Sequence, residues 1–554
     1  MNTIVNEADY VIVGAGSAGC VLANRLSADP ANRVLLLEAG GFDRNIWIHV
    51  PVGYGRTFFN RDVNWMFHTE PEPHLDGRRI DQPRGRVLGG SSSINGLLYV
   101  RGQAQDYEDW AAQGNPGWGY RDVLPYFKRA EDQQRGADPW HGVGGPLPVG
   151  DLPEPHPIAD AFIEAARTQG IPANPDFNGA TQEGVGYFQA TARRGLRRST
   201  ARAYLHPVMR RPNLRVLTGA QASRLLLDRS RGTPRATGVE FVQDGQTRRV
   251  TARREVILAA GAIQSPQLLQ LSGIGPAAVL SRCGIELVHE LPGVGENLQD
   301  HLQGRLIYET HEPITLNDDL MSLKGRMRIG LRYLLTRKGP LGWWAGVAGG
   351  FARTQPQLDR PDIQFHLYPF STDRKDKPVL HPFSAFTLTV CQLRPYSRGS
   401  VHLQSADFRQ APAIRVNYLS DPRDIEVLTA GLELARRIGR AAPLATMIKA
   451  ERSPGPQVTS REGLHAFLRE KGMSVYHPVG TCRMGNGPDS VVDARLRVHG
   501  VAALRVADAS IMPALISGNT NAPAIMIGEK AADLILEDRQ QRAAEAPSQN
   551  RVTA

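Results

Sequence analysis

"DYVIVGAGSAGCVLANRLS", residues 9–27, decides the fold. Residues 10–13 are apolar throughout and mostly β-branched, as in a strand covered on both faces. Gly14, Gly16 and Gly19 then fill a G-x-G-x-x-G pattern, and Val21, Leu22 and Leu26 recur at a helical period, with Pro30 just past the helix end. A second apolar run, "RVLLLE" (33–38), closes the unit on Glu38. Strand, glycine turn, helix and strand with a terminal acid form a dinucleotide cradle. Gly14 permits the tight turn, Gly16 lets a pyrophosphate approach the backbone, and Gly19 allows close helix–strand contact. Free N–H groups at the helix start favour the phosphates, and Glu38 can accept ribose hydroxyls. At this point NAD and FAD both remain open.

The surrounding 554 residues are globular in composition: 41% hydrophobic, 22% charged, and a formal charge of +10 dominated by arginine. That length exceeds one ordinary core. Arginine is spread along the chain, and no basic run is interleaved with aromatics, which argues against a nucleic-acid partner. The cysteines at 20, 283, 391 and 482 lie far apart without C-x-x-C spacing. They read as reduced thiols of a cytoplasmic protein, neither a disulfide framework nor a zinc site. Acidic residues replace the basic region of a signal peptide at the N-terminus, and no apolar run reaches ~18 residues. No histidines sit at H-x-H or helical spacing with a carboxylate, so no metal is expected. A serine hydrolase is disfavoured because no G-x-S-x-G occurs.

Three later stretches carry chemistry. "GRVLGGSSSING" (85–96) offers small residues and backbone donors of the kind a long flavin dinucleotide needs. "VILAAGAIQSPQLLQLSGIG" (256–275) reads as buried strand, glycine turn and helix. "MSVYHPVGTCRMG" (473–485) holds one histidine, His477, which locally fits a metal ligand, a general base or a satisfied loop side chain.

Together with "VADASIMP" (506–513) and "NTNAPAIMIGEKAADLI" (519–535), these blocks resemble the glucose–methanol–choline (GMC) family of FAD oxidoreductases. The resemblance runs in the family's order from about residue 8 to 538. It is closest to the choline-dehydrogenase-like and alcohol:acceptor dehydrogenase branch, as in "NWMFHTEPEP" (64–73) and "LYVRG" (98–102). It implies an α/β protein with a Rossmann-like FAD-binding domain assembled from separated segments. A substrate domain of antiparallel sheet and helices is inserted, and alternating runs such as "SAFTLTVCQLRP" (384–395) agree. The expected divisions are 1–305 for the FAD domain, with an excursion near 155–200, and 306–465 for the substrate domain. Residues 466–540 are expected to return to the FAD domain with the catalytic groups, and 541–554 to form a disordered tail.

The resemblance also implies the site. FAD contacts are expected from Gly14, Gly16, Ser17, Ala18 and Gly19, and from Glu38, Ala39 and Trp65. Arg86, Leu88, Gly89, Gly90, Ser91, Asn95 and Gly96 supply the second motif. Ala222, Asp508, Ala509, Asn521 and Pro523 complete the set. His477 is the expected base and Asn519 its partner, with Asn521 as the fallback. An alcohol is a poor hydride donor and an alkoxide a good one, so a base must take the hydroxyl proton. An unperturbed imidazole, with a pKa near ~6.5, suits that work and predicts a rate that falls with pH through that value. His68, His74 and His141 read as surface or structural.

Two departures from relatives narrow the reading. Ile94 stands where covalent FAD enzymes carry the tethering histidine, so noncovalent FAD is expected. Val347, in "GWWAGVAGGFAR" (342–353), replaces the glutamate of choline-specific relatives, which disfavours choline; Trp343 and Trp344 remain open as cation-stacking rings or apolar lining. The expected activity is oxidation of a primary alcohol to the aldehyde, with electrons passed to a quinone, a carrier protein or dioxygen. An oxygen-using oxidase is the alternative, ahead of a choline dehydrogenase or a flavin-containing hydroxynitrile lyase. Peripheral contact with the inner membrane surface is left open.

Overall fold

A computed structural model describes residues 6–374 and 378–545. Strand β1 (Glu7–Val13) is buried from its second residue onward. It feeds through the glycine turn into helix α1 (Ser17–Leu26), which buries eight of its residues, and the chain returns as β2 (Val34–Leu37), buried throughout. Burial on both faces is what their unbroken apolar runs require. Strand β3 (Leu214–Leu217) pairs parallel with β2, and β4 (Gln246–Leu258) pairs parallel with β1 on its other side. The long β4 leads into helix α2 (Gly261–Leu271). Its C-terminal end also takes β5 (Leu504–Val506) in parallel, while its N-terminal half turns back in antiparallel hairpins. Strand order therefore reverses about β1, and the strands' carboxyl ends open a crevice there.

Helix α3 (Asn521–Glu545) closes this first layer by packing on α1. The tie is Glu529, fully buried, which accepts from Arg25 at 2.7 Å, from Arg129 at 2.8 Å and from the Tyr204 hydroxyl at 2.8 Å. One carboxylate thus satisfies three donors from distant segments, which offsets its own desolvation.

The second layer is an antiparallel sheet in the order Ile448–Ser453, Leu302–Thr310, Ala385–Gln392, Ile363–Tyr368, Ala348–Ala352, Gly184–Tyr187. Met473–Ser474 also pairs with the start of Leu302–Thr310. Helices Pro157–Thr168 and Pro422–Gly439 cover its apolar face. The divisions expected at 305/306 and 465/466 both cut elements, namely the strand Leu302–Thr310 and the helix Arg461–Lys471. That helix buries Leu464 and Leu468 in the second core, so the chain leaves this layer later than its composition suggests. The tail expected from 541 is corrected at its start. Residues 541–545 continue α3, where Arg542 reaches Glu255 at 3.7 Å and the local sequence favours helix; residues 546–554 lie outside the described residues. Among the described residues no helix is long and apolar enough to cross a membrane.

Candidate active site

A cavity of ≈ 640 Å³ runs between the two layers, from the β1–α1 turn to His477 and Asn519. At one end Gly14 adopts φ +100, and a Cβ there would stand 2.6 Å from the Ala259 carbonyl oxygen. A Cβ on Gly19 would fall 1.9 Å from the Gly14 oxygen, so both glycines are dictated by the fold itself. Gly16 differs. Its nearest neighbour would be Ala259 O at 3.8 Å, and it lines the cavity, so the space beside it is left to a ligand. Helix α1 starts there with no side-chain cap and no acid in its first turn. Ser17 and Ala18 bring its unpaired N–H groups to the wall, a ready anion site.

Glu38 is tied into the same turn, accepting from Ala15 N–H at 2.9 Å and from Gly40 N–H at 2.8 Å. Burial pushes its carboxyl up to about 7 against the pull of those two donors and of Arg86. Ala39 lies beside it on the wall. The second motif crosses over the cradle. Gly89 and Gly90 both take positive φ, and a Cβ on Gly90 would meet Gly16 Cα at 2.7 Å, so the two loops touch backbone to backbone. Arg197, fully buried, donates to Asn95 Oδ1 and Asn95 O, each at 2.6 Å, and to Ile48 O at 2.7 Å. Burial lowers its pKa to about 9. Asp508 caps the short helix Ala509–Ile511 and accepts from Gly261 N–H at 2.8 Å and Ser265 Oγ at 2.6 Å, which joins β5 to the start of α2. Ser17 Oγ donates to Asn521 Oδ1 at 2.8 Å.

These residues fit a dinucleotide: a cradle without side chains, an open helix N-terminus and a carboxylate at the second strand's end. Trp65, Ser91, Gly96, Ala222, Ala509 and Asn521 also lie on the wall. Gly19, Arg86, Leu88, Gly89 and Pro523 do not. Gly19 packs on β1, and Gly89 donates its N–H to Ala15 O at 2.8 Å. Leu88 is fully buried and accepts from Ser93 Oγ at 2.7 Å, Pro523 lies in the first turn of α3, and Arg86 stands behind the wall with its guanidinium 5.0 Å from the Trp65 ring.

At the other end a chain of hydrogen bonds fixes the imidazoles. His301 Nε2 is 2.9 Å from the Leu393 carbonyl oxygen, which only accepts, so Nε2 carries the proton and Nδ1 is bare. That bare Nδ1 faces His477 Nδ1 at 2.9 Å, so His477 donates there. His477 Nε2 is left as a lone pair on the cavity wall, 3.2 Å from Asn519 Nδ2, which donates to it. Asn519 Oδ1 in turn accepts from Gln364 Nε2 at 3.1 Å. The backbone is held as firmly. Asp300 accepts from His477 N–H at 2.6 Å, His301 N–H at 2.9 Å and Ser474 Oγ at 2.5 Å, and also from the Tyr418 hydroxyl. Tyr476, just before His477, sits at φ +70, a conformation that neighbours must impose.

The ordinary imidazole pKa expected for His477 is corrected here. Burial first, then repulsion from His301, His366 and Arg84, holds it well below 6.5. Burial likewise lowers His301 to about 4 and His366 to about 3. The remaining wall mixes apolar and aromatic side chains, including Phe58, Leu320, Leu341 and Phe370, with polar ones such as Arg84, Gln303, Arg305 and His366. Trp343 and Trp344 are off it. Trp344 packs with Phe188 and Phe351, and Trp343 meets His156 edge-on at 5.0 Å, so neither stacks on anything in the cavity. Val347 is buried in the second core. His141 is buried between Glu131 at 3.0 Å and Asp176 at 2.9 Å.

His301, Asp300, Gln364 and Arg197 were not among the residues expected from sequence. A signal existed for the first two: "NLQDH" (297–301) sets an Asp–His pair directly before a buried strand.

Two family models described as GMC oxidoreductase match residues 8–303 and 395–528. The chain is 46% identical over 532 residues to an alcohol dehydrogenase [acceptor] of Pseudomonas putida, covering 95% of each chain. It is 46% identical over 540 residues to the mitochondrial choline dehydrogenase of Homo sapiens, covering 96% of this chain and 90% of the relative. The solved pyridoxine 4-oxidase of "Mesorbium loti" superposes with a TM-score of 0.86 at 34% identity, covering 97% and 99%.

Proposed function

The chain belongs to the GMC oxidoreductase family and is an FAD-dependent enzyme of alcohol oxidation; from that premise we propose that it converts a primary alcohol to the aldehyde, with His477 as base and Asn519 as its partner. The observation that carries this reading is the unprotonated Nε2 of His477, held at the cavity wall by two successive imidazole hydrogen bonds. Bound in the cradle, FAD supplies the hydride acceptor. With substrate in place the Asn519 amide turns its N–H from His477 Nε2 to the substrate oxygen, which frees that lone pair to take the hydroxyl proton while the amide supports the charge gathering on oxygen. The cation formed on His477 keeps its Nδ1–H bonded to His301.

Among the described residues the carboxylates on the wall are Glu38 and Asp508, both already engaged by backbone N–H groups. No free anion therefore waits for a quaternary ammonium, which favours a neutral alcohol over choline. Electrons pass on to a quinone or other carrier, and we place the protein in the cytoplasm with peripheral contact at the inner membrane. An anaerobic screen of alcohols, read as bleaching of the flavin near 450 nm, tests the reaction; reoxidation by oxygen and by a quinone analogue assigns the acceptor. Absence of bleaching with every alcohol would refute it.

We hold the FAD to be noncovalent because Ile94, on the wall beside Asn95, offers no tethering nitrogen. Acid precipitation is expected to leave the yellow colour in the supernatant, and colour in the pellet would contradict this. Glu38→Ala is expected to weaken FAD retention by roughly 1–3 kcal/mol, about tenfold to a hundredfold in dissociation constant, since it strands two buried N–H donors and the ribose. Flavin fluorescence on dilution measures it, and an unchanged constant would count against the role.

A further inference from the structure

Helix Leu323–Thr336 presents its apolar side to solvent. It buries Gly325, Ile329 and Tyr333 against the protein, yet Leu323 is 74% exposed, Met327 67%, Leu331 59%, Leu334 67% and Leu335 75%. At 3.6 residues per turn these five lie on the side away from the buried three. A single exposed leucine means little, but a continuous apolar stripe marks a surface with a partner. The helix contains no acid; Lys324 lies within the stripe, Arg326, Arg328 and Arg332 flank it, and Arg337 and Lys338 follow just beyond. Arg328 pairs with Asp319 and Arg332 with Glu154 at 2.7 Å. Among the described residues, Lys324, Arg326, Arg337 and Lys338 form no ion pair with a carboxylate. The stripe also adjoins the cavity: Leu316 and Leu320 from the preceding short helix, and Leu341 from the following turn, are on the cavity wall.

We propose that this face docks on the surface of an anionic lipid bilayer, with the five apolar side chains at the acyl boundary and the cations among headgroup phosphates. An apolar ridge bordered by cations and free of acids matches a lipid surface in both respects. A second copy of the same helix would bring like charges together. The inference rests on the peripheral membrane contact of the functional reading and gives it a definite surface. Its test is binding without turnover, so it fails separately from the alcohol chemistry.

FAD-loaded protein is floated with phosphatidylcholine vesicles containing graded phosphatidylglycerol, at low salt and at about 1 M salt, where the screening length is ~3 Å. Binding that rises with phosphatidylglycerol and weakens in salt is expected. Met327→Glu with Leu331→Glu is expected to lower partition at least about tenfold, with oxidation of a dissolved short alcohol unchanged. If that variant loses flavin, Leu323→Gln with Leu334→Gln replaces it, with the same loss expected. Variants that float like the wild type would overturn the proposal, as would equal binding to neutral and anionic vesicles or no binding at all. A wild-type dimer that the variants convert to monomer would assign the face to a second copy instead.

Discussion

His477→Ala is expected to fold and to retain FAD, because the cradle of Gly16, Gly90 and Glu38 lies at the far end of the cavity. The loss should fall on the rate of flavin reduction by alcohol. A positioned general base is worth about 10²–10⁴-fold, or roughly 3–5 kcal/mol of transition-state stabilisation. Asn519→Ala should cost less, since it removes a hydrogen bond and leaves the proton acceptor. The pH profile separates this from a merely structural effect. Protonation of His477 abolishes its lone pair, and burial has moved that event well below 6.5. The wild-type reductive rate should therefore stay level as pH falls through 6.5 and drop only at lower pH, opposite to what an unperturbed histidine predicts. Stopped-flow reduction from about pH 5 to 9 checks both points. If His477→Ala reduces its flavin within about threefold of wild type, against the 10²–10⁴-fold expected, the base lies elsewhere.

His301→Leu is expected to slow flavin reduction by about tenfold to a hundredfold, the rate equivalent of the ~1–3 kcal/mol that an unmade buried hydrogen bond costs. Leucine cannot accept from His477 Nδ1–H, so nothing then selects the tautomer whose Nε2 is bare. It also leaves the Leu393 carbonyl without its donor. His301→Gln should recover most of the loss, because its amide can donate to Leu393 O and accept from His477. The conservative rescue distinguishes tautomer control from a packing defect. Equal rates in the wild type and the leucine variant would show that the Leu393–His301–His477 chain does not set the base.

What was legible in the sequence was what short-range chemistry dictates. The β1–α1–β2 unit could be read because much of it answers to atoms inside the same unit: Gly19 meets Gly14, and Glu38 binds Ala15 and Gly40, although Gly14 also answers to the distant Ala259 carbonyl. His477 and Asn519 were found from the resemblance, and they do meet, at 3.2 Å. Their supports were not found. Asp300 serves His477 across 177 positions, and Arg197 holds Asn95 across 102. Nothing local in an aspartate or an arginine announces so distant a partner. The pKa of His477 was misjudged for the same reason, since burial is a property of the assembled layers. The open question of Trp343 and Trp344 turns on the irregular segment between Gly342 and the strand Ala348–Ala352, whose path sets which way the two rings face and is not legible in the local sequence. Helix Leu323–Thr336 shows the reverse case, where an apolar period read in isolation signals a core face and the fold turns that face outward.

The coupling of α1 to α3 has a consequence for how the protein comes into being. Ser17–Asn521 and Arg25–Glu529 are joined across 504 positions, and β5 reaches the first sheet only after residue 504 has been made. Until those residues have left the ribosome, the outer side of α1 stays bare and β4 lacks its second parallel neighbour, β5, at its C-terminal end. The nascent protein therefore carries an unfinished nucleotide fold over the roughly 500 residues made between α1 and its partner α3, with apolar surface open to chaperones and to its neighbours. A chain truncated before residue 520 would keep the glycine signature while lacking the helix that covers it.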